Sequence, residues 1–320
     1  MSARITLVVG SLAVVALAFL PLVGNAFVMH MLTIACYDVI LATCWNLLAG
    51  MTGQFSLATQ TFAAIGAYTT GMLLHYTHAP IWVGILLATA VAGFMGLVLG
   101  VLVLRLRTIY LAIATWAFAE TVHITLGAAY NYTRGELGLS VPPLIKSLDP
   151  RAYFEVFLLL AALVTLLAWW IARSPLGTFM RAIKDDELRA ESIGIDTTKV
   201  KVLVFTLTSA ITGLAGAFYA HYLVVLSPNI ADFSVIGMII TMVVIGGLGT
   251  VAAPLIGAPI VVVLSESLTK YGEWDLAIFA VIVILLMRTS TGGIIDASRR
   301  LLAVFRPAPQ SPAPPTQSSS

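Results

Sequence analysis

The chain has 320 residues, 59% of them hydrophobic and only 10% charged, against about 25% charged in soluble domains. Its mean hydropathy is +0.99, and its net charge of +2 comes without any clustering of basic and aromatic residues. That composition excludes an ordinary soluble domain and gives no footing for nucleic-acid binding. It is the composition of an all-α, polytopic integral membrane protein.

Apolar runs long enough to cross a bilayer are read at 5–23, 27–49, 55–76, 80–104, 108–129, 153–172, 202–226, 233–250, 252–270 and 274–295. The first, after Arg4, is read as an uncleaved span, because another span follows it almost at once. Cys36 and Cys44 fall in the second run. Eight residues of helix put them about 12 Å apart along the axis, too far for a disulfide, so they are packing residues. The runs after Thr52 and before Thr250 are rich in glycine and are read as broken or re-entrant helices. The expectation is therefore about 8–10 transmembrane helices. The stretches 50–71 and 237–257 each pair a Gly-rich break with small residues, which suggests an internal two-fold repeat.

Basic residues orient the spans. With the N-terminus inside and ten alternating spans, thirteen Lys and Arg lie inside, six of them in 173–201. Four lie outside, at Arg134, Lys146, Arg151 and Lys270. That distribution satisfies the positive-inside rule with both termini in the cytoplasm. A transmembrane domain then covers 1–305, with a periplasmic loop at 130–152 whose Gly and Pro content predicts ordered turns. The Pro/Ser-rich tail 306–320 is expected to be disordered.

The polar stretch 173–201 stands out in this setting. Ala182, Ile183, Leu188, Ala190 and Ile193 are apolar among charges, and Gly194 follows as a C-cap, so a short helix ending in a turn is predicted. A charged cytoplasmic helix between two spans is a place for another protein to dock.

Polar side chains inside spans are costly and invite function. Gln54, Ser56, Thr59 and Gln60 put hydroxyl and amide groups into an apolar run, next to small Ala63, Ala64, Gly66 and Ala67 that allow close helix approach. A broken helix with hydroxyls nearby can bind a small zwitterion or carboxylate; tight packing of back-bonded hydroxyls is the competing reading. Glu120 and His123, three apart, share a helix face. They are candidates for a polar path or for hydrogen bonds within the bundle. No GxxxxGK[ST] loop occurs, so the chain carries no P-loop for ATP. The run Gly246-Gly247-Leu248-Gly249-Thr250 lacks the strand and acidic residue of a dinucleotide site. No catalytic triad and no metal-ligand spacing is present, so neither enzyme activity nor a bound cofactor or metal is expected.

Several segments match one family. They are Gly50-Met51-Thr52-Gly53-Gln54-Phe55-Ser56-Leu57 and Phe62-Ala63-Ala64-Ile65-Gly66-Ala67-Tyr68, then Tyr110 to Thr115 with Phe118-Ala119-Glu120, and Gly135-x-x-Gly138-Leu139. The loop from Gly177 through Arg181-Ala182-Ile183 to Glu191-Ser192-Ile193-Gly194-Ile195 and the Gly246 to Ala258 segment complete the set. Over roughly 30–295 the chain resembles the M-type permease subunit of bacterial ABC importers of the branched-chain amino acid (LIV) type.

The resemblance implies a multi-pass inner-membrane subunit with a second, H-type permease and two cytoplasmic ATPases that bind ATP and Mg. A periplasmic binding protein would deliver branched-chain or hydrophobic amino acids, or a related small solute. It implies that 173–201 is the coupling helix, with Arg181, Asp185, Glu187, Ala190, Glu191 and Gly194 at the ATPase. Ile183, Leu188 and Ile193 are then expected to anchor it. The family's Ser-Leu-Gly-His stands here as Ser56-Leu57-Ala58-Thr59, so the role of that His is not carried over. A stand-alone carrier driven by an ion gradient, with Glu120 and His123 as proton relay, is the alternative.

Overall fold

Inside a bilayer every backbone amide must find its partner within the protein, and helices meet that demand within one segment. The computed structural model describes residues 25–104, 108–145 and 149–268, together with Val281 and Ile284. Helix α1 spans Ala26–Trp45 and widens into a π-helical turn at Asn46–Met51. Helices α2 (Thr59–Thr77), α3 (Ile81–Val103) and α4 (Thr108–Ala128) follow. After a loop containing strand β1 (Leu139–Ser140) come α5 (Pro150–Arg173), α6 (Pro175–Asp185) and α7 (Glu187–Ser192). The described chain closes with α8 (Thr197–Leu223), strand β2 (Val225–Leu226), α9 (Phe233–Gly246) and α10 (Ala253–Leu268).

The all-α membrane reading holds. Five of the described helices, α1 with its π turn, α3, α4, α5 and α8, are long and apolar enough to cross a membrane. The Gly-rich runs are shorter than read from the sequence. The run expected at 55–76 starts as helix only at Thr59, and α9 ends at Gly246, ahead of its expected end. The run at 5–23, and that at 274–295 apart from Val281 and Ile284, lie outside the described residues. Local chemistry sets several helix starts: Asp149, Asp196 and Asp232 accept the backbone amides of Arg151, Lys199 and Ser234, and Pro150 and Pro175 open α5 and α6. Asp149 is why α5 begins at Pro150, inside the loop expected to run to 152.

Helix α8 is the centre of the bundle and packs chiefly on α3 and α2. Small residues make this closeness possible. A Cβ on Gly66 would come 2.0 Å from the Gly213 carbonyl oxygen, and one on Gly216 would come 1.9 Å from that of Ala63. The backbones of α2 and α8 thus touch directly, the packing mode lipid-embedded helices use where no hydrophobic force separates helix from lipid. On the other flank α1 packs against α5 and α10, and Tyr37 stacks on Tyr219 with ring centroids 4.0 Å apart.

The two ends of the bundle differ. At one end β1 pairs antiparallel with β2, Leu139 opposite Leu226, and Val141 N–H donates to the Val224 carbonyl at 2.7 Å. Buried His221 ties this end together. Its Nδ1 lies 2.7 Å from the Pro142 carbonyl, which only accepts, so Nδ1 carries the proton; Nε2 faces the Thr70 hydroxyl at 3.1 Å. The opposite end holds the close of α1, the α9–α10 connection and the polar loop of α6 and α7.

Candidate functional site

Between the π-helical turn and α2 the chain runs as a non-helical segment inside the protein. Gly53 has φ +73°, a left-handed conformation that costs glycine nothing, and from there Gln54, Ser56 and Ala58 point into buried surroundings while Gly53, Phe55 and Leu57 are half-buried. A non-helical segment needs partners for its backbone, and it takes them from neighbouring side chains. Trp45 Nε1 donates to the Ser56 carbonyl at 2.9 Å, and Leu57 N–H donates to Thr115 Oγ1 of α4 at 3.0 Å. Helix α2 then starts at Thr59 with no side chain capping it, which leaves first-turn amides free.

The side chains here are buried and short of partners. Both amide atoms of Gln54, Oε1 of Gln60 and the hydroxyls of Thr59 and Thr61 have no hydrogen-bond partner among the described residues. Leaving a buried polar group unmade costs about 1–3 kcal/mol. Five such atoms within eight residues form a concentrated reserve of unmet hydrogen bonds. Ser56 and Thr59 also face Thr208, Ser209 and Thr212 of α8 across a crevice closed by Leu48 and Phe62, with no room for a water molecule. The α8 hydroxyls donate back into their own helix, Thr208 to the Val204 carbonyl at 2.9 Å and Ser209 to that of Phe205 at 2.8 Å. Their oxygens therefore present lone pairs to the crevice.

The sequence reading singled out Gln54, Ser56, Thr59 and Gln60, and the structure gathers these four around the start of α2. It missed Thr208, Ser209 and Thr212. The four-residue spacing of Thr208 and Thr212 was the signal that these hydroxyls share a helix face. Glu120 and His123 are not brought to the crevice. Both are half-buried on α4, beyond its link to the segment at Thr115. His123 instead stands near Asp232, whose carboxyl is held below its ordinary range first by the Ser234 hydroxyl and amide and last by the His123 charge.

The polar loop 173–201 forms two helices, where one was predicted. Asp186 breaks them in an extended conformation, and its carboxylate caps α7 by accepting Arg189 N–H at 3.1 Å. Gly194, at φ +90°, ends α7, as its position suggested, and Ile195 N–H returns to the Ala190 carbonyl at 3.1 Å. The expected anchors need correction. Met180, Ile183 and Ala190 are buried, but Leu188 and Ile193 are 78% and 72% exposed. The short α7 has only one inward position, taken by Ala190, so its larger apolar side chains face out.

The charged residues also divide. Lys201 makes an ion pair with Glu187, Glu191 Oε1 accepts the Thr197 hydroxyl at 2.7 Å, and Arg181 Nη1 donates to the Ala172 carbonyl at 2.8 Å. Of the residues expected at the coupling surface, Glu187, Glu191 and Arg181 thus also hold the loop together, Ala190 is interior and Gly194 shapes the turn. Asp185 is exposed at the end of α6. Asp196, which opens α8, has its carboxyl lowered by its hydrogen bond to the Lys199 side chain.

Residues 27–290 match the family described as branched-chain amino acid transport system / permease component. The chain belongs to this permease family. The match takes in the break, the crevice and the loop. The high-affinity branched-chain amino acid transport system permease protein LivM of Salmonella typhimurium is 30% identical to it, over 90% of this chain and 74% of that one. LivH from the same organism is 28% identical over 46% of this chain and 47% of its own. The fructose import permease protein FrcC of Rhizobium meliloti is 29% identical over 42% of this chain and 40% of its own. No solved structure matches the permease.

Resemblance to both LivM and a fructose permease makes the family a guide to architecture more than to cargo. The permease carries no group of three or more His, Cys, Asp or Glu able to hold a metal among its described residues. The polar groups that line the crevice are hydroxyls, with the amides of Gln54 and Gln60 nearby. Such a lining can form hydrogen bonds to a solute and release it again.

Proposed function

We propose that the chain is the pore-forming subunit of an ATP-driven ABC importer, carrying branched-chain or other hydrophobic amino acids, or a related small organic solute. It pairs with an H-type permease and works with two ATPase subunits that bind ATP and Mg, in the inner membrane with both termini cytoplasmic. A periplasmic binding protein supplies the solute. The observation that carries this reading is the set of unpartnered buried polar atoms of Gln54, Thr59, Gln60 and Thr61 at the uncapped start of α2.

The chemistry fits a zwitterion. First-turn amides and the Gln54 NH2 donate to a carboxylate, and the Gln oxygens with the Ser56 and Thr59 hydroxyls accept from an ammonium. Leu48 and Phe62 provide an apolar wall for a hydrocarbon side chain. In the closed arrangement the crevice is too tight for any solute, so passage requires α2 and α8 to part. Energy for that movement must enter through the cytoplasmic loop. Exposed Leu188 and Ile193, ringed by Arg189, Glu187 and Glu191, give α7 the makeup of a docking tip, an apolar anchor with a polar rim.

The test is uptake in proteoliposomes. The chain assembled with its second permease, ATPases and binding protein is expected to take up solute only with ATP. Gradient-driven uptake by the chain alone, without ATP, would overturn the proposal and favour a carrier working through Glu120 and His123.

A further inference from the structure

Three segments far apart in sequence meet at the inner end of the bundle, and one side chain holds each junction. The Asn46 amide, at the start of the π-helical turn, bridges α1 to the α9–α10 connection. Its Nδ2 donates to the Thr250 carbonyl at 2.8 Å, and its Oδ1 accepts Gly249 N–H at 2.9 Å. The backbones are in near contact there, since a Cβ on Gly50 would lie 2.8 Å from Gly249 N. Lys184, from the last turn of α6, supplies the third member. Its Nζ donates to the Gly50 carbonyl at 2.7 Å, and a Cβ on Gly249 would lie 3.3 Å from the same Nζ.

The Gly50 carbonyl has a reason to take that bond. Gln54 N–H turns back past it to the Leu48 carbonyl, at 3.1 Å. The oxygen is thus left at the end of the helix, where a cation is favoured both by the free lone pairs and by the helix dipole. Both Gly-rich breaks are therefore tied to one another by Asn46 and to the cytoplasmic loop by Lys184. The first break leads straight into the segment that carries Gln54, Ser56 and Thr59.

We propose that Lys184 is the positioning residue through which movement of the α6–α7 loop reaches both helix breaks, with Asn46 holding the breaks in step. The inference rests on the importer reading given above. A link of this kind couples two sites when the linked element has two arrangements and both sites bias it. The ammonium and the Gly50 carbonyl separate or stay joined as the loop shifts, and the start of α2 follows. Glu187 and Glu191 bond to Lys201 and Thr197 at the start of α8, and Arg181 to the Ala172 carbonyl at the end of α5, whereas Lys184 bonds to the first helix break.

The experiment uses the complete complex in proteoliposomes, with ATP hydrolysis and solute uptake measured together. Lys184→Met removes the donor and keeps most of the side chain's length. It is expected to retain the ATPase subunits and their turnover within about twofold while solute moved per ATP falls about tenfold or more. Lys184→Arg, which can still donate to the carbonyl, is expected to restore most of the ratio. A Lys184→Met complex with the parent ratio overturns the proposal.

A second measurement covers a variant that fails to assemble. In the unmodified complex, hydrogen exchange of residues 46–53 and 247–252 is expected to change together between nucleotide-free and ATP-trapped states. Exchange that stays unchanged in both segments overturns the proposal as well. If the unmodified chain retains no ATPase at all, the importer reading itself falls, and the link with it.

Discussion

At the scale of single residues, the informative feature is polar groups held where they cost free energy. Thr59 Oγ1 is buried and unpartnered, so replacing it by the isosteric valine removes a penalty of about 1–3 kcal/mol while losing one contact for a solute. Thr59→Val and Gln54→Leu are therefore expected to leave thermal unfolding of the assembled protein unchanged or slightly raised, while the KM for uptake rises about tenfold. A destabilised Thr59→Val with unaltered uptake would favour a packing role. Asp232 shows the opposite bookkeeping, a carboxylate whose partners are in place. Its lowered carboxyl pKa means that it adds stability above its ordinary value, and that this is lost only as acid takes the pH down through the lowered one. Asp232→Ala is expected to cost about 1 kcal/mol at neutral pH, the usual worth of an N-cap. The difference between variant and parent melting should shrink in strong acid.

At the scale of elements, α2 and α8 depend on having no side chains where they cross. The Cβ that Gly216→Ala adds would sit 1.9 Å from the Ala63 carbonyl oxygen. Backbone has to move to relieve that contact, and overpacking of this kind costs about 1–3 kcal/mol. A lowered melting temperature with loss of uptake is the expected result, and Gly237→Ala, with nothing near it, is the control that should melt as the parent does apart from helix propensity. In the polar loop 173–201, α7 turns Ala190 to the bundle and its other side chains outward. Glu191→Arg places a cation where Thr197 now donates to a carboxylate, and Leu188→Asp removes an exposed apolar tip. Both are expected to insert normally in the membrane and to uncouple ATP hydrolysis from uptake, Leu188→Asp with reduced retention of ATPase in detergent pull-downs. Normal uptake in both would contradict the docking assignment of α7.

At the scale of the whole molecule, α4 is the least enclosed of the long helices. It exposes Ile109, Tyr110, Ile113 and Ile124, yet it also carries half-buried Glu120. A carboxyl at that depth is expensive against lipid and persists where protein or water covers it. Glu120→Gln is expected to change the rate or selectivity of uptake in the assembled importer. A loss of stability alone would assign the residue to packing. The same view explains why composition reads this chain so well. A bilayer demands closed backbone hydrogen bonding and apolar surface from every span, so the helices α1, α3, α4, α5 and α8 are legible as long apolar runs. The breaks were visible as glycine clusters and the loop's end as Gly194, whereas the N-caps Asp149, Asp196 and Asp232 went unread until the structure placed them.

What the sequence determined by itself is local or repetitive: spans, caps, turns, and the family whose motifs the chain repeats. The tertiary structure alone decided which polar residues face which. Lys184 and Gly50 are 134 positions apart, and Asn46 and Thr250 are 204, and no periodicity records such a pairing. Leu188 and Ile193 had the composition of anchors, but only the packing of a six-residue helix against α8 showed that a single inward place exists and that Ala190 fills it. Hydrophobic patterning states how much of a helix is buried. The direction in which each helix turns its few polar atoms is set by the neighbours it meets after folding.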